Sequence, residues 1–375
     1  MTAVARTRPS SVPATAPAPL SLTTDVLPAR QGDCLVLSWP DGTTTRRLLV
    51  DAGPAPAYEG IRRRLGRLDG DVDVLVLTHV DADHVEGVIL LLNDRGLALG
   101  VGEVWYNGAP HLSPELGAVQ GEILSAIITE RAIPWNTTFG TGAVAATRDT
   151  GALPVRDLPG GLRLTVLAPD APALLRLRDD WERACREAGI DVGSVADALA
   201  ALDARPRLRP EDSYLDREPP PDVRTLARRR ADPDRSVPNA SSVVLLAERG
   251  DDRVLLAGDS TPGVLLPAVR RLLAERGADR LPLTEFKLPH HGSAKNLTAD
   301  LVRLLPARRY LVSSDGSYFG HPDDAAIATV LEYGPPGLEL VFNYDTPRNR
   351  RWDDPRLRAR HRHTVRFPAD EDGPG

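Results

Sequence analysis

A short apolar run that ends in histidines and acids constrains this chain more than any other stretch. The sequence VLVLTHVDADHVEG, residues 74–87, places four ligand-type side chains directly after a buried-strand pattern: His79, Asp81, Asp83 and His84. Positions 79 and 81 can face one side of an extended loop, whereas 83 and 84 diverge. This spacing suits two neighbouring cations, and imidazole and carboxylate bind zinc, manganese or iron. The alternative is a solvated turn in which Asp83 caps the following helix.

Strand and helix patterns alternate along the chain, which predicts a mixed α/β layered domain. Hairpins are predicted at residues 33–53 and 241–259, around the turns PDG and RGDD. Ligands in α/β sheets gather beyond the strand ends. Further side chains of the ligand type follow predicted strands in this way: Asp259, His290, His291 and His321. We therefore expect these groups to meet at one edge.

Composition limits the alternatives. The formal charge is −6, which argues against indiscriminate wrapping of nucleic acid. Two cysteines, Cys34 and Cys185, are too few for a disulfide framework or a thiolate metal site. No window approaches the roughly 18 apolar residues of a membrane span, so we predict a cytoplasmic protein without a membrane partner. Lys287 and Lys295 are the only lysines among 46 basic residues, and they flank the histidine pair.

The sequence divides into three predicted parts, and the second contains an insertion. Residues 1–24 are rich in Pro, Ser, Thr and Ala and are predicted to be a disordered tail. Residues 25–346 form the predicted folded domain that carries the ligand-type side chains. Within it, residues 170–235 are predicted to be an insertion, helical and partly disordered, that offers a surface for a protein partner. Residues 347–375 are predicted to be a charged peripheral tail in which His361 and His363 are solvated.

The motifs together resemble a known family. THVDADH resembles the signature loop of the metallo-β-lactamase fold, His-x-His-x-Asp-His, with Asp81 in place of the second histidine. More specifically, seven stretches resemble, in order, the metallo-β-lactamase-like domain of the competence protein ComEC and its soluble relatives: QGDCLVLS, LLVDAGP, THVDADHVEG, NASSVVLL, LLAGD, KLPHHGS and YFGHPD. The resemblance runs from about residue 27 to 344, apart from the insertion. It implies a four-layer αββα sandwich.

The resemblance also implies a set of metal ligands. One ion would be held by His79 and Asp81, and the other by Asp83, His84 and one histidine of the pair, with Asp259 bridging. We favour His291 over His290 as that ligand. Many relatives supply a further histidine before the bridging aspartate, whereas this interval offers only His111, and Asn239 falls nearby. The first metal site is therefore expected to be weaker.

Two carboxylates and one lysine lie near these ligands. Asp51 ends a strand and is expected to orient a ligating histidine. Asp33 is expected to be structural. Lys287, inside a predicted strand, is expected to pair with a carboxylate near the site.

Two divalent ions, Zn or Mn, can hold a hydroxide between them and clamp both oxygens of a displacement at phosphorus. The leading prediction is a dinuclear phosphodiesterase or nuclease that uses this bridging hydroxide. His321 or His290 would donate a proton to the leaving oxygen, and Lys295 with Ser293 would bind a non-bridging phosphate oxygen. One alternative is hydrolysis of a lactone, a thioester or a small phosphoester such as a phosphocholine ester. A second is a metal-binding regulatory or scaffold protein without turnover.

Overall fold

The computed structural model describes residues 22–112, 119–146, 151–188 and 220–368. The strands are β1 Thr23–Val26, β2 Leu35–Asp41, β3 Thr44–Val50, β4 Val72–Val76, β5 Val101–Trp105, β6 Val155–Leu158, β7 Leu162–Ala168, β8 Val244–Arg249, β9 Asp252–Leu256, β10 Leu283–Lys287, β11 Ala307–Val312, β12 Glu339–Phe342 and β13 Thr364–Arg366.

The α-helices are α1 Tyr58–Leu65, α2 Ala82–Asn93, α3 Ala109–Leu112, α4 Val119–Glu130, α5 Ala171–Ala188, α6 Val223–Ala227, α7 Val237–Ala240, α8 Pro262–Glu275, α9 Ala299–Leu304, α10 Asp324–Tyr333, α11 Pro347–Arg350 and α12 Pro355–His361. Short 3-10 helices lie at Ala55–Ala57, Thr137–Phe139, Pro159–Gly161, Pro289–Gly292 and Arg351–Asp353.

The described strands form two sheets. One has five strands in the order β1-β2-β3-β4-β5, and the other has eight in the order β13-β12-β11-β10-β9-β8-β7-β6. Both predicted hairpins are present, since β2 pairs antiparallel with β3 and β8 with β9. The strands that lead toward the candidate ligands are parallel: β3 with β4 in one sheet, and β9, β10 and β11 in the other.

Apolar side chains lie on both faces of each sheet. Trp39 and Trp105 of the first sheet and Leu245 of the second belong to the cluster between the sheets. A second cluster joins the outer face of the first sheet to helices α1, α2 and α4, and a third joins the outer face of the second sheet to α8, α9 and α10. These layers confirm the predicted four-layer αββα sandwich.

The prediction of a peripheral tail from residue 347 is wrong as far as the described chain extends. Strand β13 pairs parallel with β12, and Trp352 is buried in the core of the second sheet. His363 is also buried, with its Nε2 2.9 Å from the carbonyl oxygen of Trp352, so it is not solvated as predicted. The pattern was missed because a few apolar residues are spaced among many arginines in short elements.

The boundaries of the other predicted segments differ in part from the structure. Strand β1 begins at Thr23, inside the predicted N-terminal tail, whose residues 1–21 lie outside the described chain. Within the predicted insertion, α5 confirms the helical pattern, and residues 189–219 lie outside the described chain. Helix α6 carries the buried Val223 into the core. No helix of the described residues has the length and apolar character needed to cross a bilayer.

Candidate metal centre

Strand ends from both sheets bring the candidate ligands together. Asp51 directly follows β3 and His79 follows β4, while Asp259 and the histidine pair follow β9 and β10. The carboxyl ends of neighbouring parallel strands lie at one edge of a sheet, and loops there can direct polar groups into a shared crevice. The two sheets therefore supply opposite walls of one cluster.

His79 and Asp81 lie on the loop before α2. Thr78 donates hydrogen bonds from its backbone N–H to Asp51 Oδ1 (2.8 Å) and from its hydroxyl to Asp51 Oδ2 (2.7 Å), which fixes the start of this loop. His79 is buried, with Nε2 3.5 Å from Asp81 Oδ2 and 4.0 Å from Asp259 Oδ2. The side chain of Asp81 is 42% exposed, so this part of the cluster is open to solvent.

Asp51 orients His84. The Oδ2 atom of Asp51 lies 2.7 Å from His84 Nδ1, and His84 Nε2 lies 3.3 Å from Asp259 Oδ2. This contact confirms the expected pairing of Asp51 with a histidine of the cluster. Burial disfavours the charged form of His84, but the carboxylates of Asp259 and Asp51 outweigh burial and raise its pKa well above the usual value.

His291 is held from behind by a buried ion pair. Its Nδ1 lies 3.0 Å from the carbonyl oxygen of Ser313 and 3.1 Å from Asp33 Oδ1. Lys287 Nζ donates to Asp33 Oδ2 at 2.5 Å, and both side chains are 1% exposed. The expected pairing of Lys287 with a carboxylate is confirmed. Burial alone would raise the pKa of Asp33, but Lys287 and His291 outweigh it and hold this pKa well below the usual range.

The front of His291 faces the cluster. Its Nε2 lies 3.5 Å from Asp83 Oδ2 and 3.5 Å from Asp259 Oδ2. Asp83 lies within α2 rather than before it, so the alternative interpretation of Asp83 as a helix cap is wrong. Asp33 positions His291 in addition to its expected structural role, because it contacts His291 Nδ1 directly. Sequence reasoning missed this contact because Asp33 precedes β2, whereas the other candidate residues follow strands.

Asp259 is the centre of the cluster. Its Oδ2 lies within 4.0 Å of Nε2 of four histidines: His84, His291, His290 and His79. Burial would raise the pKa of Asp259, but His291, His84 and His290 outweigh it and hold this pKa well below the usual value. Asp259 therefore supplies a carboxylate that faces imidazole nitrogens on both walls.

Several of these buried atoms have no hydrogen-bond partner among the described residues: Asp259 Oδ1 and the Nε2 atoms of His79, His84 and His291. Unpaired buried polar atoms are costly, and the three histidine nitrogens among them all lie within 4.0 Å of Asp259 Oδ2. Nitrogen and carboxylate donors at such distances match the ligand chemistry of a divalent transition metal. The residues present therefore fit a metal centre.

His290 is held by a polar network outside the cluster. Its Nδ1 lies 3.1 Å from Asn296 Oδ1 and 3.5 Å from Asp234 Oδ2. Asp234 Oδ2 also accepts from Asn239 Nδ2 (2.7 Å) and Asn296 Nδ2 (2.9 Å). Asp234 was missed because its charged surroundings placed it inside the predicted insertion. Asn239 therefore lies beside His290 in this network.

The backbone turns sharply at the histidine pair. His290 and His291 have φ values of 47° and 55°, and Gly292 has a φ of 85°. Non-glycine residues rarely adopt this left-handed region, and such strain concentrates at functional sites. As a result two consecutive side chains both direct Nε2 toward Asp259, His290 at 3.7 Å and His291 at 3.5 Å.

The remaining predicted site residues have surroundings of their own. His321 Nδ1 lies 3.4 Å from Asp323 Oδ1, and its ring centroid lies 5.4 Å from that of His290. Lys295 is exposed on the loop after the pair. Ser293 is 1% exposed and accepts a hydrogen bond from the Lys295 N–H, which fixes the loop, and its contact with a phosphate oxygen stays a prediction. His111 packs edge-on to Trp135, with ring centroids 4.6 Å apart.

Groups of three that could hold an ion occur among the described residues. They are His79–His84–Asp259, Asp83–His84–His291, Asp33–Asp259–His291 and Asp33–Asp51–His84. His84 and Asp259 link the first group to the others. His290 and His111 belong to none of these groups within the described chain.

The family model described as the Metallo-beta-lactamase superfamily matches residues 27–314, which is more than half of the chain. This chain belongs to the metallo-β-lactamase superfamily. That superfamily typically binds divalent metal ions, in agreement with the donor set described above. In sequence, no protein with a curated description matches the chain significantly.

Three solved structures resemble this superfamily member. A Parabacteroides distasonis protein, assigned by inference as a metal-dependent hydrolase, is 11% identical with a TM-score of 0.36, and 86% of this chain and 92% of that chain are covered. CmlA from Streptomyces venezuelae, a diiron β-hydroxylase, is 14% identical with a TM-score of 0.39, with 94% and 54% covered. The CmlA E377D mutant is 13% identical with a TM-score of 0.39, with 88% and 53% covered.

Proposed function

We propose that this chain is a metal-dependent hydrolase that acts on phosphodiesters with two divalent ions. The observation that carries the proposal is the convergence of unpaired histidine nitrogens on Asp259. His79 and Asp81 would hold one ion, and Asp83, His84 and His291 the other, with Asp259 shared. When bound, two such ions supply an acidified water and stabilise charge on phosphoryl oxygens. The resemblance of the sequence motifs to ComEC-type domains also supports this proposal.

His290 is the proposed proton donor to the leaving oxygen. Asp234 and Asn296 contact Nδ1, which fixes the ring and leaves Nε2 facing the cluster. The ring is 22% exposed, so a substrate can reach it, whereas His291 is fully buried. A positioned acid of this kind contributes typically 100- to 10,000-fold to a rate. His321, beside it, is the second candidate for this role.

Positive charge near the cluster supports a phosphate substrate. Lys295 is exposed on the loop that carries His290, and Arg348 donates from Nε to the carbonyl oxygen of Pro322, next to His321. Lys295 therefore lies on the loop of His290, and Arg348 contacts the loop of His321, in a chain of formal charge −6. Cations at these positions would attract an anionic substrate.

The proposal is tested by metal analysis of protein purified without added metal, followed by assays of Mn- and Zn-loaded protein. The substrates are bis-p-nitrophenyl phosphate, single-stranded DNA, a lactone, a thioester and a phosphocholine ester. Hydrolysis of bis-p-nitrophenyl phosphate that is lost on chelation supports the proposal. Turnover of a lactone or thioester alone would replace it with the carboxyl-ester alternative. Bound metal without turnover of any substrate would support a regulatory or scaffold protein.

Asp81→His is expected to raise Zn affinity by about 10-fold and to reduce the preference for Mn, because imidazole is a softer ligand than carboxylate. Competitive metal binding by calorimetry measures the change. Asp251→His, in the exposed turn between β8 and β9, is the control and should leave both affinities unchanged. Identical metal profiles for wild type and Asp81→His would show that Asp81 is not a ligand.

Lys295→Arg is expected to lower kcat/KM for phosphodiester hydrolysis by about 10-fold, since a compact ammonium approaches a phosphate where a planar guanidinium is too broad. Metal content should not change. Arg308→Lys, at an exposed position at the start of β11, is the reciprocal control and should have no effect. Activity of Lys295→Arg within about twofold of wild type would exclude a phosphate contact that requires lysine.

A further inference from the structure

Two adjacent aromatic side chains lie exposed on the loop before His321. Tyr318 and Phe319 are 57% and 52% exposed, and the other exposed large hydrophobic residues of the described chain are Val155 and Leu175. Their rings pack edge to face, with centroids 4.5 Å apart and an interplanar angle of 83°. Single exposed apolar residues are common, but an exposed aromatic pair at a candidate site is a feature of binding surfaces.

The loop that carries this pair is fixed by hydrogen bonds before the pair and turns directly after it. The backbone N–H and hydroxyl of Ser317 both donate to Asp315 Oδ1, at 2.9 and 2.7 Å. After the pair, Gly320 has a φ of 70°, which turns the chain between Phe319 and His321. The aromatic pair is therefore held in place by polar contacts of the loop rather than by burial of its own rings.

The aromatic pair is continuous with the histidines of the candidate site. The Phe319 ring stacks on His321 at 6.0 Å between centroids with an interplanar angle of 28°, and it lies 6.5 Å from His290. His290 in turn directs Nε2 toward Asp259 at 3.7 Å. A group that rests on Phe319 would thus lie one ring away from the proposed proton donor.

We propose that Tyr318 and Phe319 bind a planar ring of the substrate, so that phosphate esters with an aromatic group on the alcohol that is not cleaved are favoured over alkyl esters. Offset or edge-to-face packing on Phe319 would hold that ring while the phosphate lies near His290 and Lys295. This inference rests on the proposed phosphodiesterase function and adds the part of the substrate that it recognises.

The test compares two phosphodiesters with the same leaving group, bis-p-nitrophenyl phosphate and methyl p-nitrophenyl phosphate. Phe319→Leu and Tyr318→Leu should each lower the ratio of kcat/KM for the aryl ester to that for the methyl ester by about fivefold. Phe319→Tyr should preserve the ratio because it keeps the ring. Leu175→Ala, which removes an exposed apolar side chain on α5, is the matched control. An unchanged ratio in both leucine variants would overturn the inference.

A binding measurement separates this inference from the proposed function. Calorimetry with metal-loaded protein compares phenylphosphonate with methylphosphonate. The first carries a phenyl ring on phosphorus and the second a methyl group. Tighter binding of phenylphosphonate that is lost in Phe319→Leu supports the ring site even if no ester is hydrolysed. Equal binding of the two phosphonates by the wild-type protein would contradict it, including when bis-p-nitrophenyl phosphate is hydrolysed and the proposed function stands.

Discussion

Asp259→Ala is expected to abolish hydrolysis, with a fall in kcat/KM of about 1000-fold or more, and to reduce bound metal from about two ions per chain to one or none. Asp259 Oδ2 lies between imidazole nitrogens of both proposed metal sites, 3.3 Å from His84 and 4.0 Å from His79. Its loss removes the carboxylate that both proposed metal sites share. No other carboxylate of the described chain faces both histidines in this way.

Metal content by mass spectrometry and turnover of bis-p-nitrophenyl phosphate measure this result. Asp157→Ala is the matched control, because Asp157 lies exposed on β6 and pairs with Arg163. This variant should retain its full metal content and activity. Circular dichroism establishes that the Asp259 variant is folded. Two bound ions with normal turnover in folded Asp259→Ala would disprove the assignment of Asp259 as the shared ligand.

Lys287→Met is expected to lower the free energy of unfolding by about 3–5 kcal/mol, since removal of one partner leaves a buried charge without compensation. Lys287 and Asp33 are each 1% exposed, so water cannot replace the lost ammonium beside the carboxylate. Asp33 also contacts His291 Nδ1, so the same variant should weaken metal binding. Urea denaturation in the presence of a chelator measures stability without the contribution of bound metal.

The chain supplies its own control for this variant. Lys295→Met changes the only other lysine, which is exposed, and should alter the free energy of unfolding by no more than about 0.5 kcal/mol. Asp33→Asn combined with Lys287→Met should be less destabilised than Lys287→Met alone, because no unpaired charge remains. Equal stability of Lys287→Met and wild type would show that the ion pair contributes nothing net.

The sequence by itself determined the layered α/β architecture and the residues that cluster around Asp259. Strand patterns have a period of two and end on polar groups, so the positions of His79, His84 and Asp259 at strand ends were readable along the chain. The order of motifs then indicated the superfamily, and the family match over residues 27–314 agrees with it. Asp51 was also predictable, because it directly follows β3 at the same edge.

Only the tertiary structure decided which groups support the cluster from outside. Asp33 and Asp234 contact His291 and His290 from segments 258 and 56 residues away in the chain, and periodicity carries no information about such contacts. The sequence pattern likewise did not show that the C-terminal residues join the second sheet. Pairing of β13 with β12 depends on an exposed strand edge that forms only after folding. Local pattern encodes a strand and the residues directly after it, whereas the neighbours across a fold are set by packing.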